Sequence, residues 1–147
     1  MQIIIREMEK KDKRAVIEFM RVFYASPAVL SSGSEEIFNA DVENCISGSP
    51  YVEGYVFEDG DNLVGYAMAA KSFSTEFGKR CIWIEDLYMK EEYRGLGVGS
   101  QFLKFIEEKY PDSVLRLEVE EENGRAVSVY RKCGFEVLPY MEMKKEI

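Results

Sequence analysis

Two adjacent carboxylates, Glu85 and Asp86, stand in the middle of "CIWIEDLYM", residues 81–89, with apolar residues on either side. Written as a strand, this stretch is predicted to place Ile82, Ile84, Asp86 and Tyr88 on one face and Cys81, Trp83, Glu85, Leu87 and Met89 on the other. Both faces are largely apolar, as in a central strand covered on both sides. An ionised carboxylate there is costly unless it is paired, hydrogen-bonded or turned toward a wet cleft. Partial burial raises a carboxyl pKa, and a base titrating nearer neutrality can take a proton from an ammonium group directly or through water. A structural role, pairing with Arg, Lys or backbone amides, is the alternative for both acids. The chain has no histidine, so a general base must be a carboxylate, a perturbed Lys, Cys or Tyr, or a water held by one of them.

A second candidate follows immediately. In "EEYRGLGVGS", residues 91–100, Gly95, Gly97 and Gly99 lie between the strand and a predicted helix. Bare backbone at the start of a helix lets amide N–H groups approach an anion, and the helix dipole adds about half a positive charge there. The alternative is a sharp turn with tight packing and no ligand. No Gly-Lys-Ser or Gly-Lys-Thr occurs, which excludes a Walker A loop. A dinucleotide fingerprint fits imperfectly, since the loop reads GLGVG, although Glu118 stands near the distance at which an acid is expected.

The elements that must position these residues are legible from periodicity. "QIIIREM" is predicted as a strand, and Ala15, Val16, Phe19, Met20 and Phe23 recur at helical spacing between Lys11 and Tyr24. A second helix is predicted from about Ser34 to Ile46. Two strands, "YVEGYVFED" and "NLVGYAMAAKSF", joined at Gly60-Asp61, form a predicted hairpin, and "KRCIWIEDLYMK" is the next strand. A helix over "VGSQFLKFIEEKY", a strand over "SVLRLEVE", a helix over "NGRAVSVYRKCG" and one or two strands over "FEVLPYMEMKKE" complete the chain. The order β α α β β β α β α β predicts an α+β (mixed α/β) fold with helices layered on a sheet. On the last helix Tyr130 shares one side with Asn123, Ala126, Val127 and Gly134. By pattern alone it is a core aromatic. A phenol with an ordinary pKa of about 10 is nevertheless protonated at neutral pH and can donate to a departing thiolate.

Composition bounds the partners. With 147 residues and no repeat or low-complexity linker, one domain spanning residues 1–147 is expected. Nineteen basic and 27 acidic residues give a net charge of -8, the wrong sign for neutralising phosphates, so nucleic acid is not an expected partner, whereas a cationic ligand is favoured. Only three isoleucines precede the first charges, far short of a signal peptide or a membrane span, so a cytoplasmic protein with no membrane partner is expected. Cys45, Cys81 and Cys133 lack CxxC spacing and partner histidines, so free thiols are expected and no metal site is suggested. The run "EVEEEN", residues 118–123, reads as a solvated strand end or as an acidic rim, with Glu118 and Glu120 joined by Glu35 and Glu36, for a cationic acceptor.

"RGLGVG", residues 94–99, fits R/Q-x-x-G-x-G/A, and "NGRAVSVYRKCGF", residues 123–135, fits N-x-x-A-x-x-x-Y-x-x-x-G-F. Together they resemble the two signatures of the GNAT superfamily of N-acetyltransferases, and "IEDLYMKEEYRG" is similar to spermidine/spermine N-acetyltransferases. The likeness runs from about Asn62 to Phe135 and is weak over residues 25–50. It implies the GNAT fold, a mostly antiparallel mixed sheet flanked by helices, and acetyl-CoA as co-substrate. It further implies that backbone amides of Arg94, Gly95, Leu96, Gly97, Val98, Gly99 and Ser100 hold the CoA pyrophosphate. Backbone at Leu87, Tyr88 and Met89, where the family's strand bulges, would meet the cofactor, with N–H groups near Leu87 and Met89 stabilising the oxyanion. Asn123 would contact the pantetheine arm, with Ala126 beside it. The same likeness makes Glu85 the base, Asp86 the next choice, and Tyr130 the general acid. The implied reaction is direct attack of a primary amine, on a cationic small molecule or a peptide, in a ternary complex. A non-catalytic acyl-CoA-binding or sensing domain with the same loop is the alternative. A homodimer is also implied, helped by a free C-terminal strand edge.

Overall fold

The computed structural model describes residues 2–147 and builds one five-stranded sheet in the order β1-β2-β3-β4-β5. The strands are β1 (Ile3–Glu7), β2 (Val52–Asp59), β3 (Asn62–Ser74), β4 (Lys79–Met89) and β5 (Ser113–Leu117). The helices are α1 (Lys13–Tyr24), α2 (Glu35–Ile46), α3 (Val98–Lys109) and α4 (Gly124–Lys132). All neighbours pair antiparallel except β4 and β5, which run parallel, so the sheet is mixed and mostly antiparallel as predicted. Gly60, in the left-handed region at φ 62°, makes the hairpin between β2 and β3.

Alternating residues send apolar side chains to two separate cores. Tyr55 and Phe57 of β2 pack with Phe102, Leu103 and Ile106 of α3, while Val56 between them packs with Val16 and Met20 of α1 and Phe38 and Val42 of α2. Amphipathic helices thus cover both faces, and β3 and β4 lie central and buried. A hydrogen-bonded cluster of Arg6, Asp12 and Glu58 ties β1 to β2 and to the turn preceding α1, with Arg6 holding the buried Asp12 carboxyl below its ordinary pKa against the cost of burial.

Two expectations are corrected. The register shifts by one residue between Met68 and Ala69: Met68 faces Asp86, Ala69 faces Ile84, and Glu85 has no partner. This bulge breaks the simple alternation, because an extra residue rotates everything after it to the opposite face. Ile82, Ile84, Leu87 and Met89 all pack in the α3 core, whereas Tyr88 joins the α1/α2 core. The second correction concerns the C-terminus. Residues 135–147 form no strand, and Met141 and Met143 are more than four-fifths exposed. No residue after Ile106 is fully buried. The three cysteines are free, and no helix among the described residues is long and apolar enough to cross a membrane.

Candidate active site

The site begins where two parallel strands part. β4 and β5 pair from Arg80↔Ser113 to Ile84↔Leu117 and no further, although β4 continues to Met89. The last pair stands directly before the unpaired Glu85. Beyond it the β5 side of β4 is open, and an open groove of about 1240 Å³ runs along β5, lined among others by Trp83, Arg116, Glu118, Tyr130, Phe135 and Glu142.

The bulge gives the neighbouring acids different surroundings. Asp86 is 3% exposed and accepts hydrogen bonds from the Tyr24 hydroxyl at Oδ1 (3.0 Å) and the Tyr66 hydroxyl at Oδ2 (2.7 Å). Burial pushes its pKa up to about 6 although both tyrosines favour the ionised form, and Asp41 and Glu85 raise it further. Glu85 is exposed, and its carboxyl is raised above the ordinary range by desolvation first and then by Glu142 and Asp41. Its oxygens accept no protein hydrogen bond among those of the described residues, which leaves them available to a ligand. Glu118 is pushed up to about 7, chiefly by sharing a hydrogen bond with Glu142 and then by desolvation and the charges of Glu142 and Glu85. Glu85, Glu118 and Glu142 therefore form one electrostatic group, of which Glu118 and Glu142 line the groove. Glu120, exposed like the rest of residues 118–123, lines no part of that groove, and Glu35 is taken by an ion pair with Arg21.

The glycine loop ends in a helix without a side-chain cap. Gly97, the N-cap of α3, has φ 84°, and the first intrahelical bond runs from the Gln101 amide to the Gly97 carbonyl at 3.0 Å. The amides of Val98, Gly99 and Ser100 therefore precede the hydrogen-bonded ladder. A Cβ on Gly97 would meet nothing within 4 Å, so its glycine is required by the left-handed backbone rather than by crowding. This geometry fits a pyrophosphate. Arg94 departs from expectation: its amide is bonded to the Glu91 carbonyl, its guanidinium donates to the Met89 carbonyl (3.0 Å) and lies over the Tyr88 ring. It braces the loop against β4.

Tyr130 is half-buried, edge-on to Phe135 at 5.9 Å, and burial raises its phenol above the ordinary value. It is protonated at neutral pH. Asn123 caps α4 by accepting from the Ala126 amide at 3.3 Å, which occupies its carbonyl oxygen and gives Ala126 a structural part. Sequence reasoning missed Tyr24 and Tyr66, whose rings fit the hydrophobic pattern while their hydroxyls hold Asp86, and also Asp41 and Glu142. Only the position of Glu142 between two methionines in "MEM" offered a signal, and it was absorbed into a predicted strand.

A mixed, mostly antiparallel sheet with one parallel pair, flanked by helices and followed by an uncapped, glycine-led helix, is the fold of the acetyltransferase class to which the chain's relatives belong. The chain belongs to the acetyltransferase (GNAT) family, whose model matches residues 13–135, and N-acetyl transfer to an amine is the activity of that class. It is 32% identical to a thialysine N-epsilon-acetyltransferase of Bos taurus over 95% of this chain and 88% of the relative, and 31% identical to that of Sus scrofa over 90% and 83%. Among solved structures it resembles a possible acetyltransferase from Clostridium difficile 630 (TM-score 0.80, 22% identity, 100% and 99% of the chains). An aminoglycoside N-acetyltransferase in complex with CoA is also similar (TM-score 0.78, 15% identity, 99% and 95%). At those identities the structural likeness speaks for the fold.

Proposed function

We propose that this chain, acting as a single acetyltransferase domain, transfers the acetyl group of acetyl-CoA to a primary amine of a small cationic acceptor or peptide in a ternary complex. The observation that carries this reading is the end of β4–β5 pairing at Ile84, which leaves the unpaired Glu85 exposed just beyond it, while Glu118 and Tyr130 line the groove along β5. Acetyl-CoA, when bound, supplies the thioester. The amides of Val98, Gly99 and Ser100 face its pyrophosphate, and the open edge of β4 from Leu87 to Met89 orients its carbonyl end. Glu85 takes the proton from the acceptor's ammonium group, the freed amine forms the C–N bond as the C–S bond breaks, and the Tyr130 hydroxyl gives a proton to the departing sulfur while the proton shed by the new amide nitrogen restores the phenol. Asp86 does not fill the role of base, since both its oxygens are held by tyrosines, and it fixes the bulge that presents Glu85. The grouped acids Glu85, Glu118 and Glu142 favour a positively charged acceptor, and the relatives' name puts thialysine first in any screen. Two copies joined through the open β5 edge are part of this proposal, and a solution mass of twice 17.0 kDa would support it.

The test is release of CoA thiol from acetyl-CoA with a panel of thialysine, polyamines, an aminoglycoside and lysine peptides. Acceptor-dependent release is expected. Binding of acetyl-CoA with no release for any amine would favour the non-catalytic acyl-CoA-binding alternative.

A further inference from the structure

Arg125, in the first turn of α4, points back onto the glycine loop. A Cβ on Gly95 would stand 2.7 Å from its Nη2 atom, so the guanidinium rests on the bare face of that glycine, whose φ of 75° already excludes most side chains. Arg125 follows the acidic run Glu120–Glu122, yet it makes no ion pair among the described residues. It rests instead on Gly95, two residues ahead of Gly97, the N-cap of α3, where the helix dipole is positive. Two positive groups held together are electrostatically uphill unless an anion lies between them. The helix that carries Arg125 is also weakly anchored: α4 buries no residue completely, and its C-cap Cys133 reaches α3 through a 3.5 Å contact from Sγ to Ser100 Oγ.

Resting on the proposed acetyl-CoA site, we infer that Arg125 is a cofactor-binding residue that closes over the pyrophosphate from the side opposite the α3 amides and thereby fastens α4, with Tyr130, onto the sheet. Arg suits this task because its guanidinium makes paired, charge-assisted hydrogen bonds to phosphate oxygens. Donor binding and placement of the general acid become one event. The consequence is that α4 is ordered by the donor.

The experiment measures CoA and dephospho-CoA affinity by calorimetry for wild type, Arg125→Ala and Arg125→Lys, with amide hydrogen exchange over residues 113–135 with and without saturating CoA. Expected are a loss of roughly 10- to 100-fold for Arg125→Ala with both ligands, in keeping with a lost charged hydrogen bond, and partial recovery with Lys. In wild type CoA slows exchange in α4. In Arg125→Ala at saturating CoA that slowing is lost while protection at the start of α3 remains. Unchanged affinity in Arg125→Ala, or equal protection of α4, overturns the inference and leaves the proposed activity standing. An effect confined to CoA and absent with dephospho-CoA also overturns it, because the contact would then be to the 3′-phosphate. Failure of wild type to bind either ligand would instead remove the donor site itself.

Discussion

The two ends of the candidate site are built to different standards. Glu85 and Asp86 belong to a strand inside the densely packed region that ends at Ile106, where Tyr24, Tyr66 and the bulge fix their positions. Tyr130, Glu118 and Glu142 belong to the part after Ile106, where nothing is fully buried and the strand β5 is only five residues long. The proposed base is held by the fold, and under the inferred role of Arg125 the proposed acid is held by what binds. Such a division lets a chain keep a rigid reaction centre while admitting a long donor between strands that would otherwise close.

Substitutions on either side of this divide should behave differently. The largest effect is expected for Glu85→Gln, which should lower turnover by about 10²- to 10⁴-fold with no change in melting temperature, since the residue is exposed. Glu85 must be deprotonated to act, so wild-type kcat/KM should rise with pH through its raised pKa, and the Gln variant should lose that limb. On the loosely packed side, Tyr130→Phe should cost roughly 10²-fold in turnover while acetyl-CoA affinity is nearly kept; equal activity would remove its role as acid.

Stability should respond to Asp86 and hardly at all to Tyr130. The folded pKa of Asp86, about 6, lies above the ordinary 3.8, so the folded state holds the proton more tightly. Its contribution is therefore complete below the lower value and is lost as pH rises through the upper one. Relative to Asp86→Asn, wild-type stability should fall by ~3 kcal/mol across that window, because each pH step between the two values is worth about 1.4 kcal/mol. A flat difference between the two proteins would show that Asp86 is not buried as described. The smallest effect is expected from Tyr24→Phe, which removes one donor to the ionised form. It should raise the Asp86 pKa further, extend the same loss to higher pH, and cost about 1 kcal/mol near neutrality.

How much of this was legible in the sequence follows the same divide. Helices and strands up to Lys109 declare themselves by period, since each buries one face against a core. The bulge was hidden because apolar residues occur on both faces of β4, so a slip of one position leaves the pattern equally hydrophobic. The final strands failed for another reason: "VLPYMEM" alternates well enough, but alternation supplies no hydrogen-bonding partner, and Pro139 removes a donor in mid-run. Glu85, Gly97 and Tyr130 could be picked out by residue type and motif. Arg125 could not, because it fills a variable position of its motif and stands out only where its side chain reaches Gly95.

The unpaired residue of β4 can also be regarded as a one-letter insertion. Removing Glu85 would bring Ile84 and Asp86 next to each other opposite Ala69 and Met68, which are already consecutive, and would leave Leu87, Tyr88 and Met89 on the faces they occupy now. A deletion, ordinarily among the harshest changes inside a central strand, would here mend the ladder. The catalytic candidate is thus the one residue of β4 that the sheet does not need.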